Sequence, residues 1–379
     1  MAGLYIHIPF CKQLCYYCDF YFSVSLERKA EMLQVLKQEL VDRSVESTTQ
    51  NPVKTIYIGG GTPSVYTPEE LGQLVATIKK YYKVNDIEEF TVEVNPDDID
   101  AVYLEGLLKF GVTRLSIGVQ SFIDRDLVWM NRRHSAKQAY SSILLAQKAG
   151  FNQISADLIY GIPGMAHEEW TYNVNKMLSC GVGHISAYHL GIEEKTVFGR
   201  RLQKGLLQPV AEERSEEQFE TLRKMLLTAG FEHYEVSNFA QKGCYGIHNS
   251  NYWKQQPYIG IGPSAHSYDG FSFRRWNISN NRKYLECFLS PSDKLYYEHE
   301  ILSEQMRYNE YLLTSLRTKW GVDLYYLESN FSDFYTQYLI DKSAHFISKG
   351  HLVLSQGKLT IPPACFLLSD YIISSLFYS

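Results

Sequence analysis

Hydrophobic and polar positions along the chain keep two rhythms in turn. Short runs rich in β-branched and aromatic residues occur at 5–8, 55–58, 90–94, 114–119, 154–159 and 184–189, each with the length and residue types of a strand. Between them, apolar residues recur at helical spacing over 26–41, 68–81, 136–149 and 168–178. Successive strand–helix units predict a parallel sheet, because parallel neighbours need a crossover connection and the crossovers are right-handed. The expected architecture is α/β, a barrel or partial (β/α)6 barrel with its chemistry at the C-terminal ends of the strands. A doubly wound open sheet is the alternative.

Beyond residue 189 the rhythm changes. A further helix is expected over 212–229, then an irregular, aromatic-rich stretch over 233–276. From about residue 291 the pattern is helical and ends in a hairpin, 352–354 and 358–360, around Ser355-Gln356-Gly357. Helices followed by a hairpin suggest a winged-helix-like C-terminal domain. A nucleic-acid-binding role is weighed against packing or docking, and the absence of a basic face favours the second. The expected units are a barrel over 1–235, an extension over 236–290 and the helical domain over 291–379. No internal repeat appears beyond the strand–helix rhythm.

Of the 379 residues, 45% are hydrophobic and 21% charged, which excludes a disordered chain. A net charge of −5 gives no general attraction to nucleic acid or anionic lipid. The apolar start at 4–8 is too short for a signal peptide, and the apolar stretch at 366–377 falls short of the ~20 residues a membrane span requires. A soluble, cytoplasmic protein is expected. Seven cysteines without a secretory signal argue against a disulfide framework.

Three of those cysteines stand as Cys11-x3-Cys15-x2-Cys18 directly after the first strand, while Cys180, Cys244, Cys287 and Cys365 are scattered. Thiolates are soft ligands suited to iron–sulfur clusters or zinc. Three ligands on a four-iron cluster leave one iron open. A structural zinc site would want a fourth ligand, and His7 on the first strand is the near alternative. Gly59-Gly60-Gly61-Thr62-Pro63 follows the second strand, where glycines let backbone approach a ligand closely. Glu93, Gln120, Arg132 and Asp157 mark later strands with polar residues that a packed barrel would not need. A set of strand-end salt bridges is the plainer alternative for each of them singly.

The cysteine spacing and the glycine turn resemble the signature of the radical S-adenosylmethionine (SAM) family. The resemblance implies a [4Fe–4S] cluster on Cys11, Cys15 and Cys18, with SAM held by Tyr5, Tyr17, Gly60, Gly61, Thr62, Glu93, Gln120, Arg132 and Asp157. In that family the glycine turn contacts the SAM amino group; Arg132 would lie near the carboxylate and Asp157 near the ribose. It implies too that an electron from the reduced cluster enters the sulfonium and yields a 5′-deoxyadenosyl radical.

Within the family, YIHIPFC, CYYCDF, GGGTP, GVQSF and DLIYGIPG resemble the oxygen-independent coproporphyrinogen III oxidase group. Two branches compete, the oxidase and a heme chaperone. The oxidase continues its motif with a fourth cysteine where this chain has Phe20, and it carries a long segment ahead of the first strand. His248-Asn249-Ser250-Asn251-Tyr252-Trp253 matches the HNxxYW signature of the chaperone branch, with SNFA at 237–240 and GIGPSAHS at 260–267 beside it. Members often carry cysteine two residues before that histidine, where this chain has Gly246; Cys244 lies four residues before it. The resemblance implies heme as cargo, respiratory heme proteins as clients and no nucleic-acid partner; a homodimer and transient membrane contact stay open. His248 is the candidate heme ligand, with His266 in reserve, and Tyr252 and Trp253 offer flat surface to a porphyrin. The alternatives are a packing role for that loop and a radical enzyme acting on coproporphyrinogen III or another substrate.

Overall fold

Strand β1 (Ala2–Ile8) is buried at nearly every position, so both of its faces must be covered. The computed structural model describes residues 2–47, 51–84, 86–289 and 295–379, and in it β1 is a central strand of the main sheet. Beside β1 lie β2 (Val53–Gly60), β3 (Glu89–Val94), β4 (Arg114–Gln120), β5 (Gln153–Tyr160) and β6 (His184–His189), all parallel and in chain order. Sequential order is that of a barrel wall; a doubly wound sheet would reverse direction partway. The expected partial (β/α)6 barrel is what forms.

The crossovers are α1 (Lys29–Asp42), α2 (Pro68–Tyr81), α3 (Ala101–Lys109), α4 (Asp124–Trp129), α5 (Ala136–Ala149) and α6 (His167–Ser179), and α7 (Val197–Gln203) and α8 (Glu212–Thr228) follow the last parallel strand. Helices α2 and α5 occupy the limits their sequence predicts because their ends are written locally. Thr67 and Glu70 form a capping box with Pro68 in the first turn. Ser135 and Gln138 form another, and Gly150 ends α5 at φ +110°.

The stretch over 233–276 is not irregular, and here the expectation is corrected. It folds as β7 (Glu232–Glu235), β8 (Asn238–Ala240), α9 (Ile247–Trp253), β9 (Tyr258–Ile261), β10 (His266–Tyr268) and β11 (Phe273–Asn277). Helix α10 (Asn281–Leu289) and β12 (Tyr297–Ile301) follow. Strand β8 pairs antiparallel with β6, and β9 pairs parallel with β1, so both edges of the wall are extended into one twelve-stranded sheet. These strands are too short to show a period and are held by neighbours remote in sequence. Buried Glu39 of α1 ties the extension down, accepting from Gly262 N (2.7 Å), Asn277 Nδ2 (2.7 Å) and the Tyr284 hydroxyl.

The C-terminal unit is α11 (Glu304–Leu316), β13 (Val322–Asp323), α12 (Leu324–Asn330), α13 (Asp333–Ser348), β14 (Val353–Ser355), β15 (Lys358–Thr360) and α14 (Ser369–Leu376). A small sheet in the order β13-β15-β14 beside α11, α12 and α13 is the winged-helix arrangement, with α14 added after it. Its hairpin turns on Gln356 and Gly357, both at positive φ as a two-residue primed turn requires. The expected start of this unit at 291 lies outside the described residues. The unit docks on β7 through a Glu235–Thr318 bridge, the Lys319–Glu232 ion pair and the His233 ring on Phe366 at 4.8 Å. Among the described residues no helix is long and apolar enough to cross a membrane.

Candidate cofactor site in the barrel

Side chains alternate across a strand, so Arg114, Ser116, Gly118 and Gln120 of β4 share one face, as do Ser155, Asp157 and Ile159 of β5. Together with Tyr57, Glu93, Ser186 and Tyr188 they line a cavity of about 470 Å3, within the usual range of small-molecule sites. A filled barrel would put branched aliphatic residues here. The polar lining marks a site instead.

Cys11, Cys15 and Cys18 stand in the same cavity, on the loop that follows β1. Thr62 Oγ1 donates to Cys11 Sγ (3.4 Å) and Arg132 Nη1 to Cys15 Sγ (3.4 Å). Burial pushes the Cys11 thiol up to about 12, opposed by the Thr62 hydroxyl, and the Cys18 thiol up to about 11. A positive metal centre would reverse that by binding the thiolates. Gly61 faces them across the turn: a Cβ there would come within 2.5 Å of Phe10 O and 3.0 Å of Cys11 Sγ. Among the described residues no set of three or more His, Cys, Asp or Glu side chains is gathered to hold a single metal ion. A cubane asks something different, with each thiolate on its own iron around a body several ångströms across. Three thiols facing one cavity beside a close-packed glycine turn fit that group.

The remaining SAM candidates surround them. Glu93 accepts from Tyr57 OH (2.7 Å) and Gly60 N (3.1 Å), and burial pushes its carboxyl up to about 7. Burial likewise raises Asp157 to about 6, with Ser186, Arg114 and Arg132 pulling it down. Arg132 donates to Asn95 Oδ1 (2.8 Å) and Gly118 O (2.9 Å), while its buried Nε has no partner. Tyr17 OH lies 3.5 Å from Arg132 Nη1. Gln120 sits at φ +69°, where non-glycine residues are strained, at a register break in β4 that turns its side chain into the cavity. Gly60, Gly61 and Thr62 close the lining. Asn95, which donates to Thr62 Oγ1 (3.2 Å) and orients Arg132, was not singled out by its sequence; it follows β3 by one residue, where strand ends face the site.

Two expected residues lie elsewhere. Tyr5 is not on the cavity lining; its hydroxyl donates to His7 Nδ1 (3.1 Å). His248 lies beneath the barrel, 1% exposed, with Nδ1 on Thr55 Oγ1 (2.8 Å) and Nε2 on Tyr252 OH (2.7 Å). Burial lowers its pKa to about 3, so the ring is neutral. Helix α9 thus plugs the floor, with Glu89 accepting from the backbone of Ile247 (2.7 Å) and His248 (3.1 Å), and it presents Asn249 to the cavity. The reserve candidate His266 stacks on Trp276 in the sheet extension, with ring centres 6.1 Å apart.

A sequential half-barrel with three thiols and a glycine turn at its mouth defines a class, and residues 5–174 match the radical SAM superfamily. The structure of coproporphyrinogen III oxidase (HemN) from Escherichia coli superposes with a TM-score of 0.85, covering 99% of this chain and 90% of that one at 20% identity. Closer relatives fix the branch. The chain is 38% identical to the heme chaperone HemW of Bacillus subtilis over 85% of each sequence, and 36% identical to that of Lactococcus lactis over 86% of this chain and 84% of that one. The chain belongs to the HemW family of radical SAM proteins.

Proposed function

We propose that the protein is a heme chaperone that carries a [4Fe–4S] cluster and SAM in its barrel and delivers heme to respiratory proteins. The observation that carries the reading is the match to relatives named heme chaperones across 85% of the chain. The composition of the cavity supports the cofactor part. Cys11, Cys15 and Cys18 would hold the cluster; Gly60, Gly61, Thr62, Glu93, Gln120, Arg132 and Asp157 would hold SAM, with Tyr17 beside Arg132. When bound and reduced, the cluster supplies an electron to the SAM sulfonium. The chain's own residues exclude water from that space and set Arg132 for a carboxylate.

Phe20, where the oxidase branch has its fourth cysteine, lies at the cavity rim and is 74% exposed. Together with Phe22, Tyr188 and Leu190 it offers apolar surface to a flat ring. His248, the iron ligand proposed from the sequence, lies at the opposite end of the barrel beneath the floor, so a heme it ligates is not the one that would cover Phe20. Ligation requires its neutral imidazole to give up Thr55 or Tyr252. Protein purified without oxygen is expected to be brown with about four irons per chain, the load of one cubane. Alanine at Cys11, Cys15 or Cys18 should remove the colour, while alanine at Cys180, Cys287 or Cys365 should not. A colourless protein holding one zinc would overturn the cluster assignment.

A further inference from the structure

We propose that the cavity floor is a second subsite, which takes the carboxylate of a ligand held beneath SAM. Arg114 opens β4, is 3% exposed and lines the cavity. Its Nε has no hydrogen-bond partner. The one carboxylate within 4.0 Å among the described residues is that of Glu89, at 4.0 Å. Both Glu89 oxygens already accept hydrogen bonds, from Ile247 N, His248 N and Thr91 Oγ1. A guanidinium keeps its charge at all working pH values, so burying it with Nε left without an acceptor is costly. An anion entering the cavity removes that cost.

Neighbouring groups make the floor suited to a carboxylate. Arg114 Nη2 lies against Gly246, where a Cβ would meet it at 3.4 Å, and Asn249, about one helical turn further on, lines the cavity. Ser116, Ser155 and Ser186 line the same space, and Ser155 Oγ is fixed by His184 Nδ1 at 2.7 Å. A planar fork beside an amide and hydroxyls is the donor set that binds carboxylates. The subsite is separate from Arg132. That residue is bonded at Gly118, four residues along β4 from Arg114, or about 13 Å at roughly 3.3 Å per residue. The proposal does not depend on heme carriage, because a small free acid could supply the carboxylate as well as a porphyrin propionate.

Calorimetry on the cluster-loaded, SAM-bound protein tests it with succinate, heme and heme dimethyl ester as probes. Arg114→Gln removes the charge, and Asn249→Asp places an internal carboxylate beside Arg114 at almost unchanged volume, a second route should the first variant fold poorly. A free acid as the source predicts succinate binding that falls at least tenfold in each variant, with cluster absorbance and SAM affinity retained. A propionate as the source predicts that heme binds at least tenfold better than its ester, and that Asn249→Asp erases the difference. If the parent retains no heme yet binds succinate through Arg114, the subsite stands and the heme reading fails. The subsite is overturned if heme is held equally by parent and variants, with no ester discrimination and no succinate binding.

Discussion

Glu93 carries two donors and no cation, and burial holds its carboxyl near 7, so it is close to half-protonated at neutral pH. A carboxyl raised in the folded state binds more protons there than in the unfolded chain, so its stabilising effect is full below about 4.5 and is lost as pH rises through 7. Glu93→Gln should therefore become progressively more stable relative to the parent between pH 5 and pH 8, by up to about 3 kcal/mol for a shift of this size. An advantage that stays flat across that range, measured by thermal melting of cofactor-free protein, would contradict the burial argument. His248 permits a sharper test. Tyr252→Phe frees Nε2 without opening the floor, so it should raise heme affinity several-fold if His248 is the ligand, while His248→Ala lowers it. If Tyr252→Phe lowers affinity as well, the motif acts by packing alone.

The site residues legible in the sequence were those with distinctive chemistry beside strand ends: the thiols, the glycine turn, Glu93, Gln120, Arg132 and Asp157, all on the cavity. Arg114, Asn95 and Asn249 were not, because an arginine at a strand start or an asparagine in a loop is ordinary until the fold turns it inward. The resemblance led to His248, and only the structure shows its two hydrogen bonds beneath the floor.

Among elements, α9 shows most clearly what sequence periodicity misses. Seven residues cannot make a stable helix alone, and this one is held by the Glu89 carboxylate at its first turn and by His248 on Thr55. Strands β1 to β6 were legible within about three residues at each end because each is long, apolar and followed by a helix. Strands β7 to β11 were not: each is short, and β8 and β9, on which the others pair, are held by β6 and β1 far away in sequence. Glu89→Ala should cost about 3 kcal/mol, since it leaves two buried helix N–H groups without acceptors and removes the one carboxylate near the buried Arg114 charge. Hydrogen exchange should speed at Ile247 and His248 and stay slow in β4 and β5. Unchanged protection at 247–253 would mean that α9 is fixed by other contacts.

For the whole molecule, the barrel carries a cavity lined by the proposed cluster and SAM residues, while a winged-helix unit packs on its β7 edge. The cavity opens past Phe20 and Phe22, apolar surface of the kind a porphyrin would cover. The central claim joins this architecture to heme carriage in place of porphyrinogen oxidation. One experiment addresses it directly: cluster-loaded, SAM-bound protein receives one equivalent of heme, is passed through gel filtration, and is then assayed anaerobically with coproporphyrinogen III and a reductant. Heme carriage predicts a shifted Soret band that elutes with the protein, and no protoporphyrinogen. Elution free of heme together with sustained porphyrinogen turnover would contradict it.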